Sequence, residues 1–295
     1  MSESTIDFPT IGVLGFGTMG AGIAQVFAAA GRTVIVLDTD QQRIDAGIAT
    51  VAEFLDGGIA RGKATEEDKA AILGRITGTT AVADFAGVDA VLESVTENAA
   101  VKQALLSEVA TVVGAQTPIL TNTSALSVTD LAAALPNPAR VAGLHFFNPA
   151  PVMQTVEIVR ALQTDETLVE RLVDLVHALG DKFPVVVKDR PGFLVNSLLL
   201  PYLNDVIQEL DDELATAEDI DVALELGLGY KTGPLKMLDT IGLDVHLHAT
   251  QAAYEATADA RYAPPPLLRQ MVAAGRLGNK NGLGFRTEQP NHGSN

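Results

Sequence analysis

Residues 11–38 constrain the fold of this chain more than any other segment, because they read IGVLGFGTMGAGIAQVFAAAGRTVIVLD. An apolar run reaches three glycines, Gly15, Gly17 and Gly20, and an alanine-rich helical pattern follows them. A second apolar run then ends at Asp38. A strand, a glycine turn, a helix, a strand and an acid in this order predict a βαβ unit that binds a dinucleotide.

Each residue of this motif has its own physical reason to be there. Gly15 permits the tight turn, Gly17 lets a pyrophosphate approach the backbone, and Gly20 lets the helix pack against the strand. Free N–H groups at the start of the helix face the phosphates. Asp38 can accept hydrogen bonds from an adenosine ribose and would repel a 2′-phosphate, which predicts NAD rather than NADP. The flanking elements disfavour the alternative, a glycine-rich turn in another kind of α/β protein.

Composition and charge exclude several classes of function. The chain contains no cysteine, which excludes disulfides, thiolate metal sites and a cysteine nucleophile, and we predict no metal site. A formal net charge of −17 disfavours nucleic acid as a partner. The N-terminal sequence MSESTIDFPT lacks a signal-peptide pattern, and no apolar stretch approaches membrane-spanning length. We therefore expect a cytoplasmic protein with no membrane partner.

The pattern of apolar residues predicts two domains. Residues 1–10 are expected to form a short tail and residues 40–78 to be helical. Further strands are predicted at 90–93, 119–121, 141–146, 156–159 and 184–187. After residue 188 the strand-like runs cease and helical patterns follow one another. The predicted domains are an α/β Rossmann-like NAD-binding domain (1–188), an all-α domain for substrate binding and dimerisation (189–286) and a disordered tail (287–295).

The helical domain is short and has faces rich in alanine and leucine, which predicts that it buries apolar surface against a second copy of the chain. We therefore expect a homodimer. A small-molecule site is expected in a cleft, as is usual for a protein of two domains.

Among the five histidines, His145 is the candidate for chemistry. It ends the strand VAGLHF, and ligands of doubly wound sheets bind at the ends of strands. His177 is expected on a helix surface. His246 and His248 are expected at a surface or interface, and because they are separated by one residue they do not share a helix face, which disfavours a metal site. A packed core histidine is the alternative interpretation of His145.

A strand–turn–strand path can bring Glu157 beside His145. A buried carboxylate would fix the tautomer of the imidazole and stabilise its protonated form, which is the acid–base pair that oxidation of an alcohol needs. A carboxylate at a strand edge is the alternative for Glu157. Ser124 follows another strand and could hold a substrate oxygen. The alternative is that Ser124 is the N-cap of the next helix, although Ser127 is better placed for that. Asn196 lies near the start of the first helix of the second domain.

The order of the motifs GFGTMGAGIAQ, ESVTEN, TNTSAL, HFFNPAPVM, DRPGFLVN, GLGYKTGPLKMLD and NGLGF resembles that of the L-3-hydroxyacyl-CoA dehydrogenases from about residue 10 to residue 286. The resemblance implies that His145 is the general base and Glu157 its partner. It implies that Ser124 and Asn196 position the 3-oxygen and the thioester carbonyl of a short-chain (3S)-3-hydroxyacyl-CoA. Further family positions near the cofactor are Glu97, Lys102, Asn148 and Lys280.

The chain departs from the family in the segment that contacts CoA, which here reads EFLDGGIARGK. Phe54 takes the place of a serine, and Arg61 and Lys63 are the remaining cations that could bind the phosphates of CoA. Lys231 and Lys236 also depart from the family pattern and could bind a carboxylate or a phosphate. The simpler interpretation is that they are solvated surface lysines. Three hypotheses stay open: a dehydrogenase of short 3-hydroxyacyl-CoA esters, the same chemistry on an acyl carrier protein (for example, a hydroxymalonyl unit), and a non-catalytic dinucleotide-binding protein like the related lens crystallins.

Overall fold

A computed structural model describes residues 7–286, and contacts divide the chain into two compact units, Met1–Phe193 and Leu194–Asn295. Each unit has its own buried core. The predicted tail at 287–295 lies outside the described residues.

The first unit is built on one eight-stranded sheet, with the strand order β3-β2-β1-β4-β5-β6-β7-β8. The strands are β1 (Thr10–Leu14), β2 (Thr33–Leu37), β3 (Ile76–Thr79), β4 (Ala90–Glu93), β5 (Ile119–Thr121), β6 (Val141–Phe146), β7 (Thr155–Arg160) and β8 (Phe183–Lys188). All neighbouring strands are parallel except β6 and β7, which are antiparallel. The parallel order around β1 and β4 is the doubly wound arrangement predicted from the sequence.

Helices cover both faces of this sheet. They are α1 (Thr18–Ala29), α2 (Gln41–Ala60), α3 (Glu66–Leu73), α4 (Ala99–Val112), α5 (Val128–Ala133) and α6 (Glu166–His177). One core cluster joins the sheet to α1, α2 and α6, and a second joins it to α4 and α5. Successive strand residues such as Val13 and Leu14 enter opposite clusters, so a strand buried on both faces reads as a continuous apolar run.

The prediction of a helical segment over residues 40–78 is only partly correct. Gly62 adopts a left-handed conformation and ends the first helix, and Thr65 begins α3 with a capping box to Asp68. Residues 76–79 form the edge strand β3 instead of helix. This strand has one fully buried residue, Ile76, so it lacks the apolar run that marks the inner strands.

The prediction of a short tail over residues 1–10 is wrong for its described part. Phe8 is buried in the core, and the guanidinium of Arg171 lies 4.3 Å from the centre of its ring. Asp7 accepts hydrogen bonds from the same guanidinium at 2.9 and 3.0 Å. These contacts extend the folded unit to the residues just before β1.

The second unit is all helical, with α7 (Val195–Asp211), α8 (Ala217–Leu228), α9 (Pro234–Ile241), α10 (Leu243–Thr257) and α11 (Pro266–Ala273). Its core contains leucines of α7, α9 and α11. Gly242, which has a φ of 99°, separates α9 from α10. No helix among residues 7–286 is both long and apolar enough to span a membrane.

The NGLGF motif fastens the end of this unit to α9. The carboxylate of Asp239 accepts hydrogen bonds from the backbone N–H groups of Phe285 and Arg286 at 2.9 and 2.8 Å. A Cβ at Gly284 would overlap this carboxylate, which explains the glycine. His246, predicted at a surface or interface, is instead buried, because it faces the interior from α10. His177 and His248 are exposed.

Candidate active site

The glycine loop between β1 and α1 has the shape that a pyrophosphate needs. Gly15 has a φ of 86°, and a Cβ at Gly20 would overlap the carbonyl oxygen of Gly15. A Cβ at Gly17 would meet no atom within 4 Å, so the space above the loop is open. Helix α1 has no side-chain N-cap and no acidic residue in its first turn, so its N-terminal N–H groups can bind an anion. These residues fit the phosphates of NAD.

Asp38 follows β2 and turns its carboxylate toward this loop. Oδ2 accepts a hydrogen bond from the backbone N–H of Phe16 at 2.8 Å, and Oδ1 accepts one from Thr39 at 2.7 Å. The Thr39 hydroxyl lies 3.3 Å from Oδ1 as well, so the carboxylate is fixed beside the glycine turn and Oδ2 is the oxygen that keeps a lone pair. A ribose hydroxyl can donate to this oxygen, and a 2′-phosphate would be repelled.

His145 and Glu157 face each other on the antiparallel pair β6 and β7, where the register makes them direct partners. Nδ1 of His145 donates to Oε2 of Glu157 at 2.7 Å, and both side chains are buried. Because a carboxylate oxygen can only accept, Nδ1 carries a proton, and in the neutral form of the ring Nε2 is the nitrogen with the lone pair. The rings of Phe147 and Phe193 lie 4.6 and 5.6 Å from the imidazole and limit its rotation. The arrangement can take a proton from a substrate and return it.

Ser124 lies in the loop after β5, next to the strand that bears His145. The amide oxygen of Asn122 accepts a hydrogen bond from the backbone N–H of Phe146 at 2.8 Å, which ties this loop to β6. Glu97 holds the loop from the other side, because its Oε1 accepts hydrogen bonds from the Ser124 and Ala125 N–H groups at 3.0 and 3.1 Å and from the Thr123 hydroxyl.

A buried ion-pair network supports Glu97. Nζ of Lys102 lies 2.6 Å from Oε1 of Glu93 and 3.2 Å from Oε2 of Glu97. Burial opposes ionisation of Glu97, but Lys102 and the hydrogen bonds from Thr123 and Ser124 outweigh it and lower the pKa of this carboxyl. Glu93 also accepts a hydrogen bond from the Thr121 hydroxyl at 2.7 Å. Sequence reasoning missed Glu93; its signal is an acid that closes the apolar run AVLE.

Asn148 begins the loop between β6 and β7 and is exposed. The peptide bond from Asn148 to Pro149 is cis. Lys182, which sequence reasoning also missed, is buried beneath this loop and donates to the carbonyl oxygens of Pro151 and Met153 at 3.3 and 2.8 Å. Burial lowers the pKa of Lys182, and nearby Asp181 counteracts this. These two hydrogen bonds hold the loop between β6 and β7 against the residue that precedes β8.

The remaining predicted residues lie elsewhere. Arg61 and Lys63 follow the end of α2, are exposed, and make no ion pair with any residue that the structure describes. Asn196 is half-buried in the first turn of α7. Nζ of Lys280 lies 2.7 Å from the Asp244 carboxylate, within the helical unit. Residues 7–286 contain no cluster of three or more acidic or histidine side chains that could hold a metal.

Two family descriptions match the chain. "3-hydroxyacyl-CoA dehydrogenase, NAD binding domain" covers residues 10–190, and "3-hydroxyacyl-CoA dehydrogenase, C-terminal domain" covers residues 192–288. Together they span nearly the whole sequence and meet close to the division between the two compact units.

Several named proteins are similar over most of the chain. A 3-hydroxybutyryl-CoA dehydrogenase of Mycobacterium tuberculosis is 41% identical over 278 residues, which are 94% of this chain and 97% of that protein. The human mitochondrial hydroxyacyl-coenzyme A dehydrogenase is 40% identical over 281 residues, 92% of this chain and 89% of that protein. The crystal structure of the (S)-3-hydroxybutyryl-CoA dehydrogenase of Ralstonia eutropha matches 96% of this chain and all of that one, with 42% identity and a TM-score of 0.91. The chain thus belongs to the 3-hydroxyacyl-CoA dehydrogenase family of NAD-dependent oxidoreductases.

Proposed function

We propose that this protein transfers a hydride reversibly between C3 of a short-chain (3S)-3-hydroxyacyl-CoA and NAD, with His145 and Glu157 as its acid–base pair. The observation that carries the proposal is the buried 2.7 Å hydrogen bond from His145 to Glu157 at the end of β6. The relatives named 3-hydroxybutyryl-CoA dehydrogenase support a short acyl chain, and the Ralstonia eutropha protein supports the S configuration.

The residues of the chain supply the proton transfers. In the oxidising direction, Nε2 of His145 takes the hydroxyl proton while the C–O bond becomes a carbonyl. NAD held by the glycine loop and Asp38 would supply the acceptor for the hydride of C3. Glu157 stabilises the protonated imidazole, and in the reducing direction His145 returns the proton to the 3-oxygen.

Two further residues orient the substrate in this proposal. The hydroxyl of Ser124 can donate to the 3-oxygen, because Glu97 and Asn122 hold its loop next to the strand of His145. Asn196 is assigned to the thioester carbonyl through the family resemblance. Lys102, Asn148 and Lys280 are assigned to the cofactor through the same resemblance.

Two carriers of the acyl group are considered, CoA and an acyl carrier protein. Four cations lie in the helical segment 41–73, and two of them, Arg43 and Lys69, are paired with Asp40 and Asp56. Arg61 and Lys63 are the two left to bind the phosphates of CoA. This small number of cations is the observation that keeps the acyl-carrier-protein substrate as a second candidate.

One assay tests the activity and the carrier together. NADH oxidation by the purified protein is measured with acetoacetyl-CoA and with acetoacetyl bound to an acyl carrier protein. We expect rapid turnover with the CoA ester. Turnover with the carrier-protein ester alone would identify the second candidate, and no turnover with either, despite NADH binding, would leave the non-catalytic protein.

We also propose a homodimer formed by the helical unit. Leu198 of α7 and Leu226 of α8 are 67% and 84% exposed, and Val222 lies one helical turn before Leu226. A second copy would remove this apolar surface from water. Light scattering is expected to give the mass of a dimer and, for Leu226→Glu, that of a monomer. Leu162→Glu is the matched control, because Leu162 is equally exposed in the sheet unit and should leave the dimer intact.

A further inference from the structure

Glu93 is a buried acid that takes no part in the proposed proton transfers. It is the last residue of β4, and its side chain is fully buried. Nζ of Lys102, its partner at 2.6 Å, belongs to a side chain that is buried as well. Removing two charges from water is costly, and an apolar pair of similar volume often gives equal or greater stability. Stability alone therefore does not explain this ion pair, and the other contacts of Glu93 extend to the loop that carries Ser124.

One carboxylate oxygen of Glu93 contacts this loop at its start. Oε2 accepts a hydrogen bond from the hydroxyl of Thr121 at 2.7 Å. The same hydroxyl oxygen accepts a hydrogen bond from the backbone N–H of Thr123 at 3.2 Å. Thr121 is the last residue of β5 and is buried. This first path from Glu93 fixes the residue that precedes Ser124.

The other carboxylate oxygen of Glu93 acts on the same loop through α4. Oε1 accepts hydrogen bonds from Nζ of Lys102 and from the backbone N–H of Val95, both at 2.6 Å. Nζ of Lys102 also lies 3.2 Å from Oε2 of Glu97. Oε1 of Glu97 accepts a hydrogen bond from the backbone N–H of Ser124 at 3.0 Å. This second path from Glu93 fixes the backbone of Ser124 itself.

The backbone of Glu93 adds a third link, toward the strand of His145. Its carbonyl oxygen accepts a hydrogen bond from the N–H of Asn122 at 2.8 Å. The amide oxygen of Asn122 accepts one from the N–H of Phe146, which follows His145, also at 2.8 Å. A displacement of about 1 Å at a group that orients the substrate can cost a hundredfold in rate. The position of the loop relative to β6 therefore matters for the reaction.

We propose that Glu93 is a positioning residue for Ser124. Its carboxylate holds residues 121–124 through both paths and so sets the distance of the Ser124 hydroxyl from His145 and from the 3-oxygen of the substrate. Glu93 acts through these residues and does not touch the substrate, because its side chain is fully buried. The inference rests on the proposed function, in which Ser124 holds the 3-oxygen, but not on the carrier of the acyl group.

Two variants weaken the two paths. Glu93→Gln keeps the shape of the side chain but replaces one acceptor oxygen by a donor and removes the charge. Lys102 keeps the carboxylate of Glu97 as a partner, so the fold should persist. We expect kcat for reduction of an acetoacetyl ester to fall about tenfold, part of the loss that a 1 Å displacement can cause, with the KM for NADH unchanged. Thr121→Val interrupts the first path alone and should lower kcat by about threefold.

A double-mutant cycle with Ser124→Ala distinguishes positioning of Ser124 from a general structural role. In the Ser124→Ala background, neither Glu93→Gln nor Thr121→Val should lower kcat further, because the hydroxyl that they position is gone. Thr121→Val carries the same cycle if Glu93→Gln does not fold. Thr164→Val is the matched control, since the Thr164 hydroxyl donates to the carbonyl oxygen of the first residue of β6 at 2.6 Å. It should lower stability to urea and leave kcat as it is.

Several outcomes would overturn the inference. They are an equal fall in kcat with and without the Ser124 hydroxyl, an unchanged kcat in both Glu93→Gln and Thr121→Val, and a change in the KM for NADH alone. An unchanged kcat in Ser124→Ala would do the same, because Ser124 would then have no role for Glu93 to support. In each of these cases, turnover by the unmodified protein would leave the proposed hydride transfer standing. Absence of turnover by the unmodified protein would overturn both.

Discussion

Both units of the chain bury a histidine, but the two histidines have different partners. In the sheet unit, Nδ1 of His145 donates to the carboxylate of Glu157 at 2.7 Å. In the helical unit, Nε2 of His246 donates to the amide oxygen of Asn204 at 3.0 Å. A carboxylate stabilises a protonated imidazole, whereas an amide oxygen offers no charge.

The network around His246 is built from neutral groups. The amide nitrogen of Asn204 donates to Thr250 and to the carbonyl oxygen of Arg261 at 2.8 and 3.2 Å, and the Thr250 hydroxyl donates to the carbonyl oxygen of Tyr262 at 2.8 Å. Burial lowers the pKa of His246 to about 4, so its imidazole is neutral near pH 7. These bonds join α7 and α10 to the segment after them.

A structural buried histidine and a reactive one differ in the charge of the partner. His145 has a charged partner on one nitrogen, whereas His246 has a neutral one, and in both rings the other nitrogen bonds no residue in the described part of the chain. We therefore expect substitutions at the first histidine to change turnover, and substitutions at the second to change the stability of the fold.

The largest effect is expected for His145→Ala. Loss of the general base should lower kcat by about two to four orders of magnitude. Binding of NADH, measured by fluorescence titration, should change little, because the glycine loop and Asp38 are untouched. Retained turnover would remove His145 from the mechanism and end the contrast between the two histidines.

Glu157→Gln tests whether the charge of the partner matters. The new amide can donate to Nδ1, which would favour the tautomer with its proton on Nε2 and leave no base toward the substrate. We expect kcat to fall by about two orders of magnitude, within the range that loss of general base catalysis produces, with little change in the KM for NADH. Steady-state kinetics measure both constants, and a value of kcat like that of the unmodified protein would mean that Glu157 only fills space beside His145.

The pH dependence of stability tests the second histidine. The pKa of His246 is about 4 in the folded protein against about 6.5 in the unfolded chain, so the unfolded chain binds more protons between these values. The contribution of His246 to stability is therefore complete above about pH 6.5 and is lost as the pH falls toward 4. Between pH 7 and pH 5 the contribution of His246 to the free energy of unfolding should fall by about 2 kcal/mol.

Urea unfolding of the unmodified protein and of His246→Gln at these two pH values isolates this contribution. Glutamine can donate to Asn204 and does not titrate. Acidification should therefore lower the free energy of unfolding of the variant by about 2 kcal/mol less than that of the unmodified protein. His248→Gln is the matched control, because His248 is exposed two residues away. An equal loss in the unmodified protein and in His246→Gln would contradict the neutral buried state.

The inner strands of the fold could be predicted because burial on both faces gives them continuous apolar runs. The edge strand β3 could not, since ITGT has too little apolar character and its partner is β2, distant in sequence. The buried position of His246 was also beyond the sequence. A single histidine in a helix does not reveal which side of the helix faces the core. The sequence alone therefore does not distinguish the buried His246 from the exposed His248.

The site was predictable where local geometry dictates residue type and less so where contacts are long-range. Glycines are needed at a turn that approaches a helix closely, so the loop at 15–20 is readable from sequence. Glu93 and Lys182 act through contacts with residues in other elements, such as Lys102 and Met153, that only the fold brings together.

The smallest effect is expected for Asp38→Ser. This change removes a carboxylate that two backbone N–H groups hold in place but that can still accept a further hydrogen bond. Its carboxylate already accepts hydrogen bonds from Phe16 and Thr39 and can still accept from a ribose. Serine should weaken the use of NADH and ease that of NADPH, changing the ratio of their kcat/KM values about tenfold. Asp40→Ser, which changes the N-cap of α2, is the matched control and should leave the ratio as it is. An unchanged ratio in Asp38→Ser would mean that this carboxylate only braces the glycine loop, and its role would then be structural, like that of the neutral network around His246.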